Sequence, residues 1–264
     1  ALFSLGFCYK EGIGVEQNYT KMIEYYEKAV ELDNAQAEVT LGSYYYDGEI
    51  LEQNYSKAIE CFKKASKQGN TQALILLGIA YEHGNGVEQS YSKMIECYEK
   101  AGELGDSDAL YNLGVVYTTG IGVEINYSKG IEFYKKACEL GSSNALFSLG
   151  TLYERGLGFD QNYTKMIEYY EKAGELGHPD ALYNLGICYE NGIGVEKNYS
   201  KMIEYYKKAA ELGVSDALYN LGGCYEQGLG VEQDYSKMIE YYEKAASLDN
   251  SSATYNLGIC YKNG

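Results

Sequence analysis

Ala181-Leu-Tyr-Asn-Leu-Gly-Ile-Cys-Tyr-Glu-Asn-Gly-Ile-Gly-Val195, followed by Asn198-Tyr-Ser-Lys-Met-Ile-Glu-Tyr-Tyr-Lys-Lys-Ala-Ala210, reads as a helix, a turn and a second helix. Ala181, Leu182, Leu185 and Tyr189 share one helical face. Gly192 and Gly194 stop that helix, because glycine tolerates the left-handed conformation of a C-terminal cap. Asn198 suits an N-cap, where its side-chain oxygen can accept from an orphan amide of the next turn. Tyr199, Met202, Ile203, Tyr206 and Ala209 make the apolar stripe of the second helix. Glu204 and Lys208 are spaced i,i+4 with the glutamate first, the better order for a surface pair. Gly186 stands inside the first helix, where glycine costs roughly 1 kcal/mol against alanine. That placement predicts a close helix–helix approach that a methyl group would block.

The same pattern recurs outward in both directions. Ala-x-x-x-Leu-Gly-x-x-Tyr-x-x-Gly begins at Ala1, Ala37, Ala73, Ala109, Ala145, Ala181, Ala217 and Ala253, a spacing of 36 with no insertion or deletion. Within a repeat numbered 1 to 36, positions 5, 6, 9 and 12 are Leu, Gly, Tyr and Gly in all eight copies. Positions 19, 21, 23, 24, 28 and 29 are Tyr, Lys, Ile, Glu, Lys and Ala in the seven full copies. The periodicity predicts a first helix from about position 36 to 11 and a second from about 19 to 32. The expected fold is an all-α solenoid of antiparallel helix pairs, one continuous array over residues 1–264. The chain opens without Met inside a first helix and stops just after another, with no polar capping repeat at either end. Solenoids usually need such caps, so the expectation is a window of a longer array.

These residues resemble the Sel1-like repeat, a relative of the tetratricopeptide repeat. The resemblance rests on Leu-Gly-x-x-Tyr-x-x-Gly-x-Gly-Val and on the Lys-Ala pair, and it spans the chain. It implies a right-handed superhelix, with first helices on the concave face and second helices on the convex face. It also implies an adaptor or scaffold for protein complexes. One departure stands out. The alanine usual in the family after the position-21 lysine is Met22, Met94, Met166, Met202 and Met238, with Ala58 and Gly130 as exceptions. A flexible methionine can fill the gap between helices.

Charge excludes several functions. With 22 basic and 38 acidic side chains the net charge is -16. Phosphate backbones and anionic membrane surfaces require the opposite sign. Nucleic acid and direct membrane binding are therefore not expected. No apolar run approaches the roughly 20 residues of a membrane span. The chain has 31 tyrosines and no tryptophan.

Chemistry-bearing residues are sparse. Cys8, Cys188, Cys224 and Cys260 fall at position 8, Cys61 and Cys97 at position 25, and Cys138 at position 30. No repeat holds two, so they read as small apolar residues, mildly favouring a reducing compartment. No Cys/His spacing suggests a metal site, and no cofactor is expected. His83 and His178 lack catalytic partners and read as loop residues. Ser90-Tyr-Ser-Lys93 fits the Ser-x-x-Lys pattern of β-lactamases. No second motif supports it, and it is one copy's version of a helix start. A hydrolase is thus the weakest of three classes, and the chain is not expected to be an enzyme.

Two repeated surfaces remain. Asn-x-Ser/Thr recurs at Asn18, Asn54, Asn126, Asn162 and Asn198, with Asn250 outside the ladder. These are N-glycosylation acceptors only in a secretory context. Otherwise the ladder reads as helix caps, since Ser90 and Asp234 replace Asn without penalty. Capping alone fits a cytoplasmic protein; glycosylation would mark a secreted fibre or coat. The second surface is the concave face the resemblance implies. There Tyr111-Asn112, Tyr183-Asn184, Tyr219-Asn220 and Tyr255-Asn256 would line a groove strongest in the C-terminal half. Asparagine can both donate to and accept from an extended backbone, and tyrosine offers broad contact. Glu82, Glu154, Glu190 and Glu226 at position 10 favour a neutral or basic protein or peptide ligand. Self-association into a longer array is a further expectation.

Overall fold

The computed structural model describes Ala1–Asn263, with fifteen α-helices and no strand among those residues. They form two compact units, Ala1–Leu140 and Gly141–Gly264. The first unit holds α1 (Leu2–Glu11), α2 (Tyr19–Val30), α3 (Ala35–Asp47), α4 (Tyr55–Lys67), α5 (Thr71–His83), α6 (Tyr91–Glu103), α7 (Ser107–Thr119) and α8 (Tyr127–Glu139). The second holds α9 (Ser143–Arg155), α10 (Tyr163–Glu175), α11 (Pro179–Asn191), α12 (Tyr199–Glu211), α13 (Ser215–Gln227), α14 (Tyr235–Ser247) and α15 (Ser251–Asn263). Each unit is a solenoid of helix pairs. Odd-numbered helices are the first and even-numbered helices the second of a repeat.

The second helices start where expected. Asn18, Asn54, Asn126, Asn162 and Asn198 accept from the backbone N–H three residues on, as do Ser90 and Asp234. The first helices start one residue earlier than the periodicity predicts, at position 35, because position 34 is also a cap. Asn34, Asn70, Asp106, Ser142 and Asn250 fill this role. So does His178, which lies in the turn between α10 and α11, as its reading as a loop residue expects, and there caps α11. Its Nδ1 accepts from the Ala181 N–H at 3.3 Å, and its ring stacks 4.5 Å from Phe147. Burial holds its pKa below the usual histidine value, keeping Nδ1 free to accept. His83 is instead helical, the last residue of α5, which corrects its reading as a loop residue. Gly12, Gly48, Gly84, Gly120, Gly156, Gly192 and Gly228 close the first seven first helices in the left-handed conformation, with φ of 71° at Gly12.

Within each unit, the core lies where the helices of a repeat meet each other and the next first helix of that unit. Around α12 it comprises Leu182, Met202, Tyr206, Ala209, Ala217 and Leu221. Met22, Met94, Met166 and Met202 are fully buried, filling the gap as expected. Position 6 explains its glycine. A Cβ on Gly186 would sit 2.4 Å from two carbons of the Tyr206 ring. The position-26 tyrosine therefore lies flat against bare backbone.

The tyrosine excess also has a surface cause. In each full repeat the position-21 lysine lies over the position-9 tyrosine ring, 4.1 Å away for Lys129 on Tyr117. Where position 25 is aromatic, in five of the seven full repeats, the position-9 ring stacks on it, as in Tyr189–Tyr205 at 5.5 Å; Cys61 and Cys97 take that position in the other two. Lys208 then caps the second ring at 5.4 Å while pairing with Glu204 at 2.6 Å. Such cation–π contacts contribute roughly 0.5–1 kcal/mol each at exposed sites.

Candidate interaction face

On the first helices of the second unit, the Tyr and Asn ladders meet the buried position-26 tyrosines. Tyr183 packs against Tyr206 with ring centroids 5.8 Å apart, and Tyr219 against Tyr242 at 5.5 Å. In the first unit Tyr111 meets Tyr134 in the same way at 5.8 Å. Tyr255 is instead 71 % exposed. The asparagines span repeat junctions. Asn220 donates to the Tyr183 hydroxyl and Asn256 to the Tyr219 hydroxyl, both at 3.4 Å. Asn184, Asn220 and Asn256 also interact with the hydroxyls of Tyr170, Tyr206 and Tyr242. Part of each of the three second-unit pairs therefore serves inter-repeat packing, while Tyr111 packs within its own repeat. The partly exposed remainder still faces outward.

Sequence reasoning missed what the phenols do. Tyr170, Tyr206 and Tyr242 donate to Glu154, Glu190 and Glu226 at 2.9, 2.5 and 2.9 Å. Burial, and after it for Tyr206 the Glu190 hydrogen bond, raises these phenol pKa values far above the usual range. The hydroxyls stay protonated and fix the three carboxylates in place. The available signal was the pairing of position 26 with position 10, which no local spacing reveals. In the first unit position 10 is Lys10, Tyr46, Glu82 and Thr118, so the carboxylate row belongs to the second unit.

A cavity of about 200 Å³ opens on this face. Glu190, Tyr219, Asn220, Glu226, Tyr242 and Asn256 line it. It offers two carboxylates beside amide and phenol groups, a set suited to hydrogen-bonding a peptide and receiving a cation.

The other candidates separate clearly. Asn18, Asn54, Asn126 and Asn198 are exposed and Asn162 is half-buried. Each uses Oδ1 for its cap. Asn250 is 8 % exposed and donates its Nδ2 to Asp216 at 2.8 Å. Ser90 is a cap, and the Lys93 ammonium lies over Tyr81, 5.3 Å from its ring centre. All seven cysteines are free thiols, and burial pushes Cys188 and Cys224 up to about 12. Among the described residues no His, Cys, Asp or Glu cluster has metal-binding geometry, and no helix is long and apolar enough to cross a membrane.

The Sel1 repeat model matches residues 1–34, 35–70, 71–106, 107–142, 143–178, 179–214, 215–250 and 251–264. Among solved structures, a Sel1 repeat protein from Oxalobacter formigenes is 28 % identical with a TM-score of 0.80, covering 94 % of this chain and 99 % of that one. The Escherichia coli protein c5321, a protective antigen of uropathogenic strains with an SLR fold, is 32 % identical with a TM-score of 0.78. That match covers all of this chain, which spans 56 % of the antigen's length. Immunity protein Pa5087 from Pseudomonas aeruginosa, at 24 % identity and a TM-score of 0.54 over 82 % of this chain and 83 % of that one, shares the fold. A comparison with curated proteins gave no match.

Proposed function

Because the chain belongs to the Sel1 repeat family, whose solenoids generally act as protein-interaction scaffolds, we propose that it is a non-catalytic scaffold binding a neutral or basic peptide segment on the first-helix face of residues 141–264. The carrying observation is the cavity in which Glu190 and Glu226 stand beside Asn220 and Asn256. The phenols of Tyr206 and Tyr242 pre-order the two carboxylates. A cationic side chain meets fixed charge there, and the amides can pair with the peptide backbone. Arrays of decapeptides graded in net charge test this reading. Bound spots should be neutral or basic. Changing Asn184, Asn220 and Asn256 together to alanine should weaken binding at least about tenfold, or 1.4 kcal/mol. Unchanged affinity in a folded triple variant sinks the proposal.

A second reading, a secreted N-glycosylated fibre or coat, is favoured by the accessibility of the sequon ladder. Five asparagines at one repeat position keep Nδ2 outside the capping bond, whereas Asn250 is buried. Intact-mass measurement after expression through a eukaryotic secretory pathway should then give at most five glycan increments, with Asn250 bare. A bare polypeptide mass removes this reading.

A further inference from the structure

A groove on the second-helix face lies outside the site described above. Its residues follow a pattern longer than one repeat. Position 27 alternates in charge along the chain: Glu27, Lys63, Glu99, Lys135, Glu171, Lys207, Glu243. Between α6 and α8, over α7, a groove of about 610 Å³ opens in the first unit. Its floor is Gly102, Leu110 and Leu113. A Cβ on Gly102 would lie 2.7 Å from the Leu110 Cδ2, so the missing side chain lets Leu110 pack down and leaves an apolar hollow. The rim carries Glu99, Glu103 and Glu139. The one lysine lining it, Lys136, is already held by Glu132 at 2.8 Å.

The groove between α12 and α14 uses the same repeat positions with different residues. Lys207 stands where Glu99 does, Ala210 replaces Gly102, and the volume falls to about 450 Å³. Depth and acidity thus change together. Between α10 and α12, Gly174 repeats the Gly102 arrangement, its Cβ position 2.7 Å from the Leu182 Cδ2. Glu171 and Glu175 occupy the rim positions there.

We propose that the α6–α8 groove, and its counterpart between α10 and α12, each dock a basic amphipathic segment of a partner protein. A bulky apolar side chain fills the floor and flanking lysines or arginines meet the rim carboxylates. Charge complementarity selects this occupant. A second copy of the chain, itself at -16, would bring like charge to an acidic rim.

The test uses a fluorescein-labelled helical peptide composed only of leucine and lysine, titrated into the whole chain. Two saturable sites are expected in these grooves, counted apart from binding on the first-helix face, which the Asn184, Asn220 and Asn256 triple variant removes. Glu99→Lys with Glu103→Lys should leave one, and adding Glu171→Lys with Glu175→Lys should leave none. These changes are compatible with folding, because Lys63 and Lys67 hold the same positions in the second repeat. Glu88→Lys with Glu196→Lys makes the same charge change on exposed loops and should keep both sites. The proposal is overturned if the groove variants bind as the native chain does. It also fails if the loop variant loses binding equally, or if a leucine–glutamate peptide binds as tightly. The Asn184, Asn220 and Asn256 triple variant should retain both sites, which separates this surface from the first-helix face.

Discussion

Replacing Tyr206 with alanine should destabilise the second unit by about 3–5 kcal/mol, the usual cost of removing a buried aromatic ring. The side chain is fully buried. Its ring covers the bare backbone of Gly186 and packs against Tyr183. Nothing else can fill that space, since the surrounding helices are fixed by neighbours on both sides. Tyr206→Phe keeps the ring and loses only the hydroxyl. Its cost should be about 1 kcal/mol, because half-buried Glu190 can turn to water when its donor is gone. The protein already contains this experiment: Phe62 fills position 26 of the second repeat and is itself fully buried. Urea unfolding followed by circular dichroism measures both variants. If phenylalanine proves as damaging as alanine, the hydrogen bond rather than the ring carries the stability. Hydrogen exchange should show the loss concentrated in α11, α12 and α13, since a repeat is stabilised mainly by its nearest neighbours.

Two glycines in equivalent helices should respond to alanine with opposite signs. In α7 the new Cβ of Gly114→Ala would lie 2.4 Å from two ring carbons of Tyr134. Alanine gains roughly 1 kcal/mol in helix propensity. Overpacking against a buried ring costs about 1–3 kcal/mol, and more where the ring cannot move. Position 6 is Gly in every copy, so the net sign should be destabilising. Gly223 sits one position further along in α13, and its Cβ would meet only the Tyr242 hydroxyl at 3.9 Å. Gly223→Ala should therefore stabilise by roughly 0.5–1 kcal/mol. Thermal melts of the two variants decide the point; equal signs would show that helix propensity, not the ring, governs position 6.

Much of the fold was legible because the chain compares itself with itself. Leu5, Gly6, Tyr9 and Gly12 recur without exception, so the constraint at each position could be read without knowing any neighbour. Helix boundaries follow from caps, and the first helices begin one residue before the apolar periodicity does because position 34 caps them. Position 34 holds Asn, Asp, Ser, His and Val, a set with no shared look, although all but valine can accept an amide. The candidate site was less legible. Tyr and Asn at positions 3 and 4 were visible. Their division between junction packing and open surface depends on side chains 37 residues apart, as in Asn220 and Tyr183. The Tyr206–Glu190 bond joins two helices across a turn, and only packing brings them together. Lys21 and Lys28 were conspicuous for their constancy. Their role over Tyr9 and Tyr25 required the depth of each ring above the helix surface.

The interchange at position 18 has an evolutionary consequence. Asn198, Ser90 and Asp234 all cap a second helix through the same bond. A single base change can convert asparagine to serine or aspartate, so that position drifts among three residues with little selection from folding. Each such step adds or deletes an Asn-x-Ser/Thr acceptor while the helix start is preserved. The array can therefore be re-lettered copy by copy, and any selection that acts on surface decoration finds variation already present and already tolerated.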